Sequence, residues 1–165
     1  MDKSVFKQMS HRKNIAPAMD LSKFESTLPA SFDWRTHTPA VLTPVKNQEQ
    51  CGSCWAFSTT ENIESVWALA GNTLVSLAPQ QIVDCDTTDA GCNGGNPPTA
   101  YEYVIKAGGM EPETDYPYVA KDTKCTFNKA DVVAKISGYE YATKTKNETE
   151  MQVATQNVVS AAWNL

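Results

Sequence analysis

Residues 50 to 58 read Gln-Cys-Gly-Ser-Cys-Trp-Ala-Phe-Ser, and this run restricts the fold more than any other part of the chain. Residues 54–70 hold neither proline nor glycine, Ser53 stands where an N-cap belongs, and Gly71-Asn72 supplies a stop. The spacing therefore predicts a helix that begins on Cys54. Trp55, Ile63, Val66, Trp67 and Ala70 recur at roughly helical spacing, so one face of it is expected to be buried. A thiol in the first turn faces unpaired backbone N–H groups and the positive end of the helix dipole, the setting in which proteins place reactive cysteines. The plainer reading is a packed core thiol, since free cysteine is among the most buried residue types. Position and capping favour the reactive one.

Cysteine arithmetic agrees. There are five, Cys51, Cys54, Cys85, Cys92 and Cys125, and an odd number in an oxidised protein leaves one thiol over. With Cys54 free, the other four allow three pairings. Two other uses of these residues compete. Cys51-Gly-Ser-Cys54 is also a C-x-x-C of the thioredoxin type, but that motif follows a buried strand, and residues 43–50 are polar with a proline inside. A zinc site from Cys51, Cys54, Cys85 and Cys92 has enough ligands, but its second pair is spaced too widely and neither histidine is near.

Gln48 together with the 50–58 run closely resembles the active-site segment of papain-like cysteine peptidases. Phe32-Asp33-Trp34-Arg35 is similar to the start of the mature enzyme, and Thr43-Pro44-Val45-Lys46-Asn47-Gln48 to the approach to the active site. Ile82-Val83-Asp84-Cys85, Gly91-Cys92-Asn93-Gly94-Gly95 and Tyr116-Pro117-Tyr118 follow in family order, so the resemblance covers residues 29 to 141. It implies an α+β papain-like fold, here mainly the helical half that bears the nucleophile, with the barrel half largely missing. The implied reaction is hydrolysis of peptide bonds through a thioester on Cys54, without metal or cofactor.

By the same resemblance Gln48 supplies the side-chain donor of an oxyanion hole, needed because the carbonyl oxygen gains charge in the tetrahedral intermediate. The backbone N–H of Cys54 is the second donor. Gly52, Ser53, Trp55, Gly94, Gly95, Asn96 and Pro97 are the implied substrate-binding set; the glycines admit an extended peptide close to the backbone, although taken alone they read as an ordinary turn. Asn96 stands where the family often has a large apolar pocket wall, which would weaken an apolar preference. The family pattern pairs Cys51 with Cys92 and Cys85 with Cys125. Ala78 occupies the N-cap before Pro79-Gln80-Gln81-Ile82, where serine is expected, at a cost of about 1 kcal/mol that Pro79 partly offsets.

A thiol nucleophile needs a base, and the family's His and Asn lie about 130 to 150 residues beyond the cysteine, past Leu165. The two histidines, His11 and His37, read as solvated loop residues. The expectation is a chain truncated before the dyad is complete and inactive alone; a catalytically dead fragment that binds peptides or inhibitors is the alternative.

Asp131 to Tyr141 reads as a strand leaving the helical domain, and Glu148 to Gln156 as the following helix. Residues 142–165 are expected to open the barrel domain and to end in an unmatched tail over 158–165. Residues 1–28 resemble the end of an inhibitory pro-segment, as in a zymogen, and show no signal-peptide pattern. The parent enzyme is expected to be lysosomal, vacuolar or secreted, a setting compatible with disulfides and with the glycosylation triplet Asn147-Glu148-Thr149. Expected partners are peptide or protein substrates and cystatin-like inhibitors. A net charge of -5 without a basic stripe argues against nucleic acid, and no long apolar run argues for a membrane span.

Overall fold

The structure is a computed structural model that describes residues 29, 31–143 and 147–157. The expectations for residues 1–28 and for the 158–165 tail lie outside the described residues. Four α-helices are described: α1 (Cys54–Leu69), α2 (Pro79–Cys85), α3 (Pro97–Ala107) and α4 (Glu148–Asn157). The predicted first helix thus starts on Cys54 and ends one residue early, with Ala70 as its C-cap. α1, α2 and α3 pack on one another around Trp55, Ala56, Ile63, Leu77, Ile82, Val83, Ala100, Val104 and Met110. Burying each larger aliphatic side chain contributes about 1.5–3 kcal/mol. A smaller cluster of Val41 and Ala68, with Trp34, Leu42, Leu69 and Leu74 around it, closes the other end of α1.

α1 carries a buried charge. Glu64 is 1% exposed, yet its carboxylate is fully engaged: Oε2 accepts from the Thr43 hydroxyl at 2.6 Å, and Oε1 accepts from the Leu77 N–H at 2.7 Å and pairs with Lys46 Nζ. Residues 40–48 form neither helix nor strand, so these bonds are what fasten the approach segment to α1.

α2 holds its surroundings through two buried glutamines. Gln80 donates to Asp84 and to the Lys121 carbonyl while accepting from the Val119 N–H. Gln81 accepts from the Glu111 N–H and donates to the Gly109 carbonyl and Tyr103 hydroxyl. Each amide satisfies loop backbone that would otherwise be buried without partners. Ala78 is indeed the N-cap of α2, with no side-chain cap and Pro79 at the first turn.

The strand expected over Asp131–Tyr141 is a correction. Among the described residues this stretch forms no strand: it makes an isolated antiparallel bridge from Ala134 to Met110, after a 3-10 turn at Lys129–Asp131, and Tyr141 is a second isolated bridge position. Among the described residues the ladder does not continue beyond single bridges, and the apolar positions pack singly. Ala134 and Ile136 join the main core, and Tyr139 stacks on Tyr101 of α3 at 5.3 Å. The helix predicted from Glu148 is present as α4, with Asn147 Oδ1 accepting from the N–H groups of Thr149 and Glu150. Trp34 Nε1 donates to the Thr155 carbonyl and tethers it.

Two disulfides join Cys51 to Cys92 and Cys85 to Cys125, the family pairing, and Cys54 is the free, exposed cysteine. With separations of 41 and 40 residues, each removes about 4 kcal/mol of unfolded-chain entropy. Cys51 is therefore neither redox partner of Cys54 nor a zinc ligand.

Glu64→Ala leaves Lys46 and the Leu77 N–H without their buried partner. It is expected to lower stability by about 3–5 kcal/mol in denaturant titration with both disulfides intact. A loss below about 1 kcal/mol would mean that the carboxylate does not hold the segment.

Candidate active site

Cys54 is the first residue of α1 and lies exposed, immediately beside the Cys51–Cys92 bridge. The bridge is reinforced in the backbone, where the Gly52 N–H donates to the Cys92 carbonyl at 2.8 Å. A Cβ on Gly52 would come within 2.5 Å of that oxygen, so only glycine lets the two segments approach. The same contact sets Gly52, two residues before Cys54, against Gly94, whose nitrogen would lie 3.7 Å from a Cβ on Gly52.

The Cys54 N–H donates to no acceptor among the described residues, whereas those of Ala56 and Phe57 both reach the Ser53 carbonyl. Ser53 stands at the N-cap but makes no side-chain cap, which departs from the sequence expectation. Its hydroxyl is instead 2.7 Å from the Tyr118 hydroxyl. The donor left open at the start of α1 is therefore that of Cys54 itself. Gln48 Nε2 donates one of its two hydrogens to the Cys51 carbonyl at 2.8 Å, and the second remains for another acceptor.

The substrate-binding set divides by burial. Ser53 and Trp55 are buried to 0% and 3% exposure and Pro97 is also buried, so their side chains support the face and do not line it. Trp55 Nε1 donates to the Gly91 carbonyl at 3.2 Å, and its ring lies so close to Gly95 that a Cβ there would sit 2.4 Å away. Gly94 has φ +117° and turns the chain from the 3-10 turn Gly91–Asn93 toward α3. Gly52, Gly95 and Asn96 are partly exposed, and Asn96 is the N-cap of α3 without a side-chain cap.

His37 is exposed, with Nδ1 2.7 Å from the Pro39 carbonyl and its ring 5.5 Å from that of Trp34. His11 lies outside the described residues. No group of three or more metal-ligating side chains occurs among the described residues, and no described helix is long and apolar enough to cross a membrane.

Sequence reasoning missed two groups here. Tyr118, which the sequence marks only as the end of Tyr116-Pro117-Tyr118, touches Ser53 and the Gln48 carbonyl. Asp89, behind Gly95, accepts from the Thr99 hydroxyl. Burial pushes its carboxyl up to about 6; Thr99 opposes the shift and neighbouring Asp86 adds to it. Asp86 Oδ2 is buried without a partner among the described residues, so a proton on Asp89 gives it a donor. The surrounding sequence, Asp86-Thr-Thr-Asp89, carries no signal that these carboxyls share one pocket.

Because its folded value stands above the ordinary 3.8, Asp89 keeps a proton that the unfolded chain has released. Stability from this site is full below 3.8, falls as pH rises toward about 6, and is level beyond. Thermal melts across that window should show wild type losing ground to Asp89→Asn as pH rises; parallel curves would refute the assignment.

The comparisons with known proteins come down on one family. The model of the papain family of cysteine proteases matches residues 28–165. Cysteine proteinase 1 of Dictyostelium discoideum is 49% identical over 148 residues, covering 83% of this chain and 42% of the relative. Cathepsin F of Drosophila melanogaster is 44% identical over 129 residues, 78% of this chain and 20% of the relative. Among solved structures, digestive procathepsin L 3 of Tenebrio molitor larval midgut superposes with a TM-score of 0.75 at 34% identity, over 94% of this chain and 50% of that one. The recombinant stem bromelain precursor gives 0.76 at 33%, over 87% of this chain and 46% of that one. The chain thus spans half or less of the length of each. On the family match, these identities and the shared helical architecture, the chain belongs to the papain family of cysteine proteases.

Proposed function

We propose that this chain supplies the nucleophile and oxyanion donors of a cysteine endopeptidase. The observation that carries the reading is the exposed, unbridged Cys54 at the first position of α1, with the Gln48 amide fixed on the loop just before it. In the reaction Cys54 Sγ attacks the scissile carbonyl carbon, and the oxyanion accepts hydrogen bonds from the Gln48 amide and the Cys54 N–H. The C–N bond then breaks, the amine leaves with a proton from the general acid, and water hydrolyses the thioester. Gly52, Gly95 and Asn96 line the path of an extended substrate, while Ser53, Trp55, Gly94 and Pro97 shape it from behind.

A histidine base and its orienting asparagine complete such a site. Neither His37, held in an exposed turn, nor His11 fills that role in this reading, so the 165 residues alone are proposed to be inactive. We assign residues 29–141 to the helical domain, 142–165 to the beginning of the barrel domain and 1–28 to a pro-segment. The two disulfides and the exposed Asn147 acceptor favour a lysosomal, vacuolar or secreted parent enzyme. A second reading, binding of peptides or cystatin-like inhibitors without turnover, is favoured by the intact Cys54, Gln48 and Gly95 face. Calorimetry with an inhibitor of that class tests it, and a flat titration would reject it.

In the full-length parent, Gln48→Ala is expected to lower kcat by about 10²- to 10³-fold with KM little changed. A peptidyl epoxide should label Cys54 in a one-to-one ratio, measured by peptide mass mapping. Turnover of a fluorogenic dipeptide by Cys54→Ala would overturn the assignment of the nucleophile.

A further inference from the structure

The Tyr118 ring lies edge-on to Phe57 of α1, with centroids 4.7 Å apart, and its hydroxyl reaches two segments at once. It donates to the Gln48 carbonyl at 2.8 Å and lies 2.7 Å from Ser53 Oγ. A phenol has one hydrogen, so with that hydrogen on Gln48 the Ser53 hydroxyl is the donor in the second bond. The result is a directed relay, Ser53 to Tyr118 to Gln48, in which each bond polarises the next. Tyr118 is itself held: its N–H donates to Glu113 Oε1 at 2.9 Å.

We propose that Tyr118 is a positioning residue for the oxyanion hole. Its hydroxyl ties the N-cap of the nucleophile helix to the backbone of Gln48, and so holds the Cys54 N–H and the Gln48 amide in one frame. Ser53, at a cap position, makes no side-chain cap; its hydroxyl is 2.7 Å from that of Tyr118 and 3.5 Å from the Cys51 carbonyl. The Gln48 amide bond to the Cys51 carbonyl fixes the side-chain end of the same residue whose main chain Tyr118 holds. Glu49, the next residue, has φ 51°, so the chain turns sharply at this point and has no helix or strand to fix Gln48 instead.

The inference rests on the peptidase reading for its kinetic arm and on this chain alone for its structural arm. Tyr118→Phe keeps the ring against Phe57 and deletes only the hydroxyl. In the full-length parent it is expected to lower kcat by about 10-fold or more while KM stays within about twofold, because the misplaced donors act on the transition state. In the 165-residue chain, exchange of the hydrogen-bonded amides of Gly52, Ser53, Ala56 and Phe57 is expected to speed up about tenfold, with that of α3 unchanged. Unchanged kcat with unchanged exchange overturns the proposal. So do equal losses in kcat and KM accompanied by faster exchange throughout α3, which would make Tyr118 a general stability residue. Should Tyr118→Phe not fold, Ser53→Ala cuts the same relay at its other end and is held to the same outcomes. A wild-type parent without turnover defeats the peptidase reading; exchange then decides the positioning claim, and unchanged exchange rejects it.

Discussion

The carboxylate of Glu64 is the interaction on which the arrangement depends. An ion pair taken out of water is costly, and it holds only where each remaining lone pair finds a donor. Here Lys46, Thr43 and the Leu77 N–H supply those donors, from the segment before α1 and the segment after it. A helix with a purely apolar buried face could pack on α2 and α3 equally well, but it would not specify where the irregular approach segment runs. The charge does, since shifting that segment by one residue would leave a buried carboxylate short of a partner. Lys46 is two residues from Gln48, so the placement of the amide is tied to a salt bridge made further along α1, at Glu64.

Polar side chains perform much of the work that strands perform in other folds. Gln80, Gln81 and Asp84 on the short helix α2 bind the backbone of residues 109–111 and 119–123, and Asp84 also takes the hydroxyls of Tyr116 and Thr123. These loops are therefore ordered without a sheet. Their order matters because the same loops carry Glu113 and Tyr118 to the start of α1.

What was legible in the sequence was what depends on local pattern. α1 could be placed from its stop signals and periodicity, and the free thiol from an odd cysteine number, whereas α2 and α4 were placed by family resemblance, through Ile82-Val83-Asp84-Cys85 and the stretch from Glu148 to Gln156. The bridge partners came from family resemblance, because spacing alone leaves three pairings. Asp131–Tyr141 misled for a physical reason: apolar residues report burial, and burial of Ala134 and Ile136 in the main core needs no ladder. Ser53 misled similarly, since a cap residue's hydroxyl has competing partners that local sequence cannot weigh. Asp86, Asp89, Glu113 and Tyr118 gained their roles from contacts between distant segments, which leave no periodic trace.

The two disulfides interleave, one spanning Cys51 to Cys92 and the other Cys85 to Cys125, so that their loops overlap between Cys85 and Cys92. Any single backbone cut between Cys51 and Cys125 therefore leaves both pieces covalently joined. Bridges closing separate loops in series would not give this: a cut in the stretch between them would release a piece. For a chain whose loops are long, the crossed arrangement makes a nick a local injury and not a severance, and after a cut anywhere between Cys54 and Cys92 the Cys51–Cys92 bridge still holds Cys54 to Gly95.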